Sequence, residues 1–183
     1  MDRDDPAWKG QRDYTPRLLK AYDRIVIGIV AKAVWDTPKA RLVDGYRQHI
    51  RPNHLDVGPG TGWFIGHSGL AEGSRVTILD PNPHVLAHAS RELRRFEVTA
   101  VQADVLKPLP VEGPFDSAGF HMVIHCLPGP MTRKARAVEN VAAVLAPNGV
   151  LFGATILGRS ENHSWVARRV LTVFNRQGGF DNL

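Results

Sequence analysis

The chain has 183 residues, of which 43% are hydrophobic and 22% charged, with a net charge of +5. That profile suits one α/β domain with a sizeable core; it excludes a disordered chain and leaves little room for two domains. No apolar run reaches the length of a membrane span, and MDRDDPAWKGQRDY is too polar for a secretory signal. Cys126 is the single cysteine, so no intrachain disulfide forms and a reducing, cytoplasmic setting is expected. Basic residues are scattered beside acids with no basic-aromatic motif, which argues against a nucleic-acid partner.

Residues 1–14 read as a flexible N-terminus. Thr15-Pro16 signals a helix start, and Leu18, Tyr22, Ile25, Val26, Ile29 and Ala33 recur at helical spacing. Thr37-Pro38 repeats the signal for a shorter helix with Leu42, Tyr46 and Ile50, ended by Pro52. Residues 15–51 are thus expected to form an N-terminal helical lid. Over 52–183 strands and helices alternate. The strands are His54–Gly58, Val76–Asp80, Val98–Ala103, Phe115 to about His125, and Val150–Leu157. A short helix runs from Trp63 to about Gly69. Asn82-Pro83 caps another, with Val85, Leu86, Ala89 and Leu93 inward. Thr132 opens a helix with Val138, Val141, Ala142 and Leu145 inward, stopped by Pro147-Asn148-Gly149. Ser160 caps the last, which carries Val166, Val170, Val173 and Phe174 and ends at Gly178-Gly179. The alternation predicts a doubly wound, mainly parallel sheet with helices on both faces. In such sheets ligands sit at the carboxyl ends of the strands, where the strand order reverses.

The segment Leu55–Phe64, LDVGPGTGWF, reads as a strand, a turn with Gly58, Gly60 and Gly62, and a helix start. Glycines let the backbone turn sharply and let a ligand approach it, and the helix N-terminus offers free N–H groups. A dinucleotide loop reads G-x-G-x-x-G, but Trp63 stands where its third glycine belongs, and the lysine of a phosphate-binding P-loop is missing. Asp56 is expected to bind loop amides and orient the turn. Asp80 ends the second strand 20 residues beyond Gly60, near the spacing of a ribose-binding acid.

The D-x-G-x-G-x-G pattern resembles the first motif of the class I S-adenosylmethionine-dependent methyltransferases. ILDPNPHVLAHA (78–89) resembles their second, VQADVLKPLP (101–110) the third, FDSAGFHMVIHCLPG (115–129) the fourth and ENVAAVLAPNGVLFGATIL (139–157) the fifth. The match covers about 15–175 and is closest to the small bacterial type-11/12 (UbiE-like) group acting on small molecules. The resemblance implies a Rossmann-like methyltransferase fold and S-adenosylmethionine as donor, leaving S-adenosylhomocysteine. It implies a donor site built from Asp56, Gly58, Pro59, Gly60, Gly62, Asp80, Pro81, Asp104, Val105, Phe120 and His121. Asp80 would bind the ribose hydroxyls, Asp104 the adenine amino group, the Val105 backbone the ring, and His121 would line the methionine-tail pocket.

His125 is the candidate general base, since imidazole titrates near neutrality; it also reads as a polar residue closing a strand. Tyr14 and Tyr22 are candidates to reach over the donor from the lid, although tyrosines at helical spacing also serve as core. Trp63 is expected to pack under the glycine loop. His84, His88 and His163 form no metal-ligand set. Cys126 adjoins His125, but on a strand the two would point to opposite faces. Methyl transfer to a small organic acceptor is the reading taken. A non-catalytic or cyclase-like domain of the same fold would keep the same glycines and stays open beside it, and an NAD-dependent oxidoreductase comes third. The resemblance further implies two more strands after the last helix. Either residues beyond Leu183 are missing, the reading favoured here, or another segment or a second copy in a homo-oligomer covers the uncharged fifth strand VLFGATIL.

Overall fold

The computed structural model describes residues 37–159 and 162–182. The expected helix from Thr15-Pro16 through Ala33, Tyr14, Tyr22 and the Ser160 cap lie outside them. Among the described residues a single sheet is built in the order β3-β2-β1-β4-β5. Its strands are β1 (Asn53–Val57), β2 (Arg75–Asp80), β3 (Glu97–Gln102), β4 (Phe115–Gly119) and β5 (Leu145–Phe152), and the helices are α1 (Lys39–His49), α2 (Trp63–Gly66), α3 (Pro83–Glu92), α4 (Met131–Ala142) and α5 (Trp165–Arg176). Every pairing is parallel.

β1 lies in the middle, with Val57 beside Leu79 of β2 and Asp56 beside Gly119 of β4. Its side chains alternate between two cores, as strand geometry requires. Leu55 and Val57 join Leu79, Ala118 and Phe120 under Ala137 and Val141 of α4. On the other face Val76 and Ile78 pack with Phe152, Tyr46 of α1, Ile65 of α2 and Leu86, Ala89 and Leu93 of α3. Burial on both faces is what an apolar parallel sheet demands. Asn82 caps α3 as expected, its side chain accepting from the His84 N–H.

Four expectations need correction. The fourth strand stops at Gly119; the chain then turns through Met122, a non-glycine residue at φ 57, into a 3₁₀ turn at Ile124–Cys126. Pro147-Asn148-Gly149 does not end a helix but lies inside β5, where the register shifts from Phe115↔Leu145 to Ser117↔Val150. A bulge absorbs the extra residues there without ending the strand. Leu145 therefore belongs to the sheet, and the inner face of α4 is Lys134, Ala137 and Val141, with Val138 exposed. The last helix begins at Trp165, and its cap is Ser164, which accepts from the Ala167 N–H. Its buried residues are Ala167 and Leu171, while Val173 and Phe174 are exposed.

The α4 face can be tested by stability. Val141→Ala empties space in a closed core and should cost roughly 2 kcal/mol or more. Val138→Ala should stay within about 0.5 kcal/mol of the parent. Urea midpoints at constant slope separate the two.

Candidate functional site

Because β1 to β4 run parallel and in register, their carboxyl ends form one edge. The Gly58–Gly62 turn follows β1, Asp80 ends β2, Asp104 follows β3, and Phe120 and His121 follow β4. The expected donor-site residues from Asp56 to His121 thus gather along a single edge. Gly58, Gly60 and Gly62 all take positive φ, from 57° to 79°, a region that disfavours side chains. The turn is anchored by the Gly58 N–H donating to Leu79 O at 2.8 Å and the Gly62 N–H to Pro59 O at 2.9 Å. A Cβ on Gly60 would meet nothing within 4 Å, so its outer side is open to a ligand. Trp63 stacks on His67 at 4.1 Å, beside the turn.

Asp56 sits differently from expectation. It is 1% exposed, and its Oδ2 accepts from the Tyr46 hydroxyl at 2.8 Å and contacts His54 Nε2 at 3.2 Å. Its partners are these two side chains, not loop amides. Its other oxygen, Oδ1, is buried and has no hydrogen-bond partner; His121 Nδ1 is the second such atom among the described residues. His121 lies against the Tyr46 ring at 4.7 Å. Burial, aided by His54, lowers its pKa against the opposing pull of Asp56. Tyr46 stays protonated, its pKa raised well above the usual phenol value by burial and the Asp56 charge. Side-chain growth is blocked here. A Cβ on Gly119 would come within 2.6 Å of Asp56 Oδ2, and one on Gly153 would overlap Phe120 O.

Asp80 is 9% exposed, and burial pushes its carboxyl up to about 7 although Oδ1 accepts from the Asn82 N–H at 2.7 Å. Pro81 O accepts from Gln102 at 3.0 Å. Asp104 closes a local turn, Oδ1 accepting from the Leu106 N–H at 2.9 Å, as Asp side chains do in loops. The Val105 side chain is core, and its carbonyl accepts from Asn140.

His125 lies in the 3₁₀ turn after β4, not on a strand. It is buried, with Nδ1 3.1 Å from Thr155 Oγ1, and the Ile156 N–H donates toward Nδ1 at 3.4 Å. Burial, together with the neighbouring Lys134 ammonium, pushes its pKa down to about 4. The ring is therefore neutral near pH 7. Cys126 shares the turn, so the opposite-faces argument does not apply; burial instead pushes its thiol up to about 12, which leaves no thiolate to react.

Several residues of the site carry weak sequence signals. Tyr46 reads as one more apolar position on a helix, yet it holds Asp56. His54 stands out only as a histidine two residues before Asp56 and so on the same strand face. Lys134, 2% exposed, donates to the Asp181 carbonyl, and the Asp181 N–H donates to His125 O at 2.8 Å. Phe180 meets the His125 ring edge-on at 4.5 Å. Those pairings join positions about 50 residues apart and leave no local pattern.

A family model described as a methyltransferase domain matches residues 55–153. The chain is 36% identical over 175 residues to the demethylluteothin O-methyltransferase of Streptomyces thioluteus, covering 94% of this chain and 76% of that one. It is 38% identical over 157 residues to the physcion biosynthesis cluster O-methyltransferase of Aspergillus chevalieri, covering 84% and 71%. In fold it is similar to the N-methyltransferase NodS of Bradyrhizobium japonicum, solved with S-adenosylhomocysteine, with a TM-score of 0.55 at 20% identity over 82% of this chain and 72% of that one. These likenesses set aside the dinucleotide reading of the glycine turn. The chain belongs to the methyltransferase-domain family and is an S-adenosylmethionine-dependent methyltransferase of Rossmann-like fold.

Proposed function

We propose that the enzyme methylates a hydroxyl oxygen of a small organic acceptor. The donor would lie along the carboxyl edge of β1, β2 and β3, and the acceptor would lie beside His125. What carries the reading is the convergence of Gly58–Gly62, Asp80, Asp104 and His121 on both sides of β1. The two O-methyltransferase relatives support oxygen as the acceptor atom.

The residues present fit S-adenosylmethionine, whose sulfonium supplies an electrophilic methyl group when bound. Gly60 leaves room against the backbone. Pro59 and Pro81 flank the turn and the ribose acid. Asp80 would accept from the ribose hydroxyls, bonds to a charged acceptor being about twice as strong as neutral ones. Asp104 and the Val105 backbone would bound the adenine, and Phe120 and His121 the tail. The buried Asp56 Oδ1 lacks a donor, and the ammonium of the donor's amino-acid tail would supply one.

Displacement at a sulfonium methyl depends mainly on alignment of the three reacting centres. A hydroxyl acceptor must also lose its proton. His125 is neutral near pH 7 and could take that proton through Nε2, provided that Nδ1–H donates to Thr155 Oγ1. The Ile156 N–H aimed at Nδ1 favours a second role. In that tautomer Nε2 keeps its proton, and His125 donates to the acceptor and orients it.

Three outcomes follow. First, Asp80→Ala should weaken S-adenosylhomocysteine binding roughly 10- to 150-fold, the worth of hydrogen bonds to a charged acceptor. Unchanged affinity in calorimetry would place the ribose elsewhere. Second, the folded-state pKa of Asp80, about 7, lies above its unfolded value of 3.8. The native state therefore holds the proton more tightly, and stability from this group falls as pH rises from about 4 through 7. Asp80→Asn should accordingly raise the melting temperature of the ligand-free protein at pH 8, with the gain vanishing near pH 4. Affinity of the parent for S-adenosylhomocysteine should rise over the pH range up to about 7. Third, with donor and acceptor saturating, kcat should be flat from pH 6 to 8 and fall only towards the low His125 pKa, about 4. If His125 is the base, His125→Asn should depress kcat far more than donor affinity and remove that acid limb. If it orients the acceptor as a donor, His125→Gln should retain most of the turnover.

A further inference from the structure

A chain of hydrogen bonds behind the glycine turn ends on Asp56. The Arg51 N–H donates to Ser117 Oγ at 2.9 Å, and Ser117 Oγ lies 2.8 Å from His54 Nδ1. His54 Nε2 lies 3.2 Å from Asp56 Oδ2, which also accepts from the Tyr46 hydroxyl at 2.8 Å. The proton positions follow from what each group can do. A carboxylate oxygen only accepts, so His54 must present Nε2–H to it; in the neutral ring Nδ1 is then an acceptor and takes the Ser117 hydroxyl proton, while Ser117 accepts from Arg51. The chain thus runs in one direction, from the Arg51 amide to the carboxylate. His54, Asp56 and Ser117 are at most 1% exposed and Tyr46 is 2% exposed.

The Tyr46 and His54 donors converge on one oxygen. Oδ2 has two and Oδ1 has none, though both belong to the same buried carboxylate. A network serving only core stability would be expected to satisfy both, since an unpaired buried charged acceptor is costly. Asp56 also pairs with Gly119 across the point where the strand order reverses, and the second unpartnered buried atom, His121 Nδ1, sits one strand end away.

We infer that Tyr46, His54 and Ser117 are positioning residues for donor binding: they hold Asp56 by Oδ2 so that Oδ1 is presented, fixed and unpaired, to the ammonium of the donor's amino-acid tail. The inference rests on the placement of the donor under Proposed function. It adds α1 to the donor site, because Tyr46 reaches Asp56 from that helix and packs its ring on His121 and Phe64. The Tyr46 hydroxyl and the His54 ring do not themselves touch the donor; they act through Asp56.

The test compares two ligands on the full chain by calorimetry. S-adenosylhomocysteine carries the amino-acid tail; 5′-methylthioadenosine keeps the adenine, ribose and sulfur but lacks it. Tyr46→Phe removes one donor to Oδ2 and should weaken S-adenosylhomocysteine by about tenfold, the worth of one hydrogen bond to a charged group, while 5′-methylthioadenosine changes less than about twofold. In turnover, KM for S-adenosylmethionine should rise with kcat kept, the mark of lost ground-state binding. His54→Ala should behave like Tyr46→Phe. His54→Gln, whose amide N–H can stand where Nε2–H stood, should recover part of the loss. If Tyr46→Phe does not fold, Ser117→Ala loosens His54 from behind and should show the same ligand selectivity. Equal loss of both ligands, or loss of neither, overturns the inference and leaves the donor site standing. If the parent binds neither ligand, the donor placement itself fails and the inference fails with it.

Discussion

β1 is hydrogen-bonded to β2 on one side and to β4 on the other, both in parallel. That arrangement forces successive connections to depart in opposite directions from neighbouring carboxyl ends, which opens a crevice there. The glycine turn must fold back within five residues of Val57 without closing the crevice, so three of its positions adopt positive φ. The acids at the ends of β2 and β3 then stand along the same edge through strand register alone. Nothing beyond the sheet is needed to gather them.

The two faces of β1 divide the work. One carries Leu55 and Val57 into an apolar core with α4; the other carries His54 and Asp56 into contact with α1. Polar groups on that second face are dry, so each must find a partner or be reserved for a ligand. The same dryness sets the titration behaviour of the site. Burial raises Asp80 and lowers His121 and His125. In each case the shift favours the uncharged form, as removal from water dictates.

Much of this was legible in the residues. The glycine turn, Asp80 at a strand end and the Asn82 cap are local signals, written within a few positions, and the order of strands and helices followed from hydrophobic period. What was not legible is long-range or irregular. Pro147-Asn148-Gly149 carries every mark of a helix stop, yet the sheet accommodates it as a bulge, because pairing of Val150 with Ser117 outweighs local propensity. Met122 at φ 57 has no sequence signature at all, and it is the turn through Met122 that takes His125 off the strand. The grip of Tyr46 on Asp56 joins a helix to a strand through tertiary packing, and a period-based reading could only count Tyr46 as core.

The two sides of the crevice differ in how they answer to replacement. On the sheet side, Gly119 is boxed in by the Asp56 carboxylate and Gly153 by the Phe120 backbone. On the other side, His125 is bordered by the irregular segments 154–157 and 179–182, with Thr155 and Phe180 as neighbours, joined by backbone bonds and by the Asp181 and Asn182 side chains. Surface loops tolerate exchange of their side chains better than a closed sheet edge does. A residue exchanged at 154–157 or 179–182 therefore changes what surrounds His125 while the glycine turn and the strand ends stay as they are.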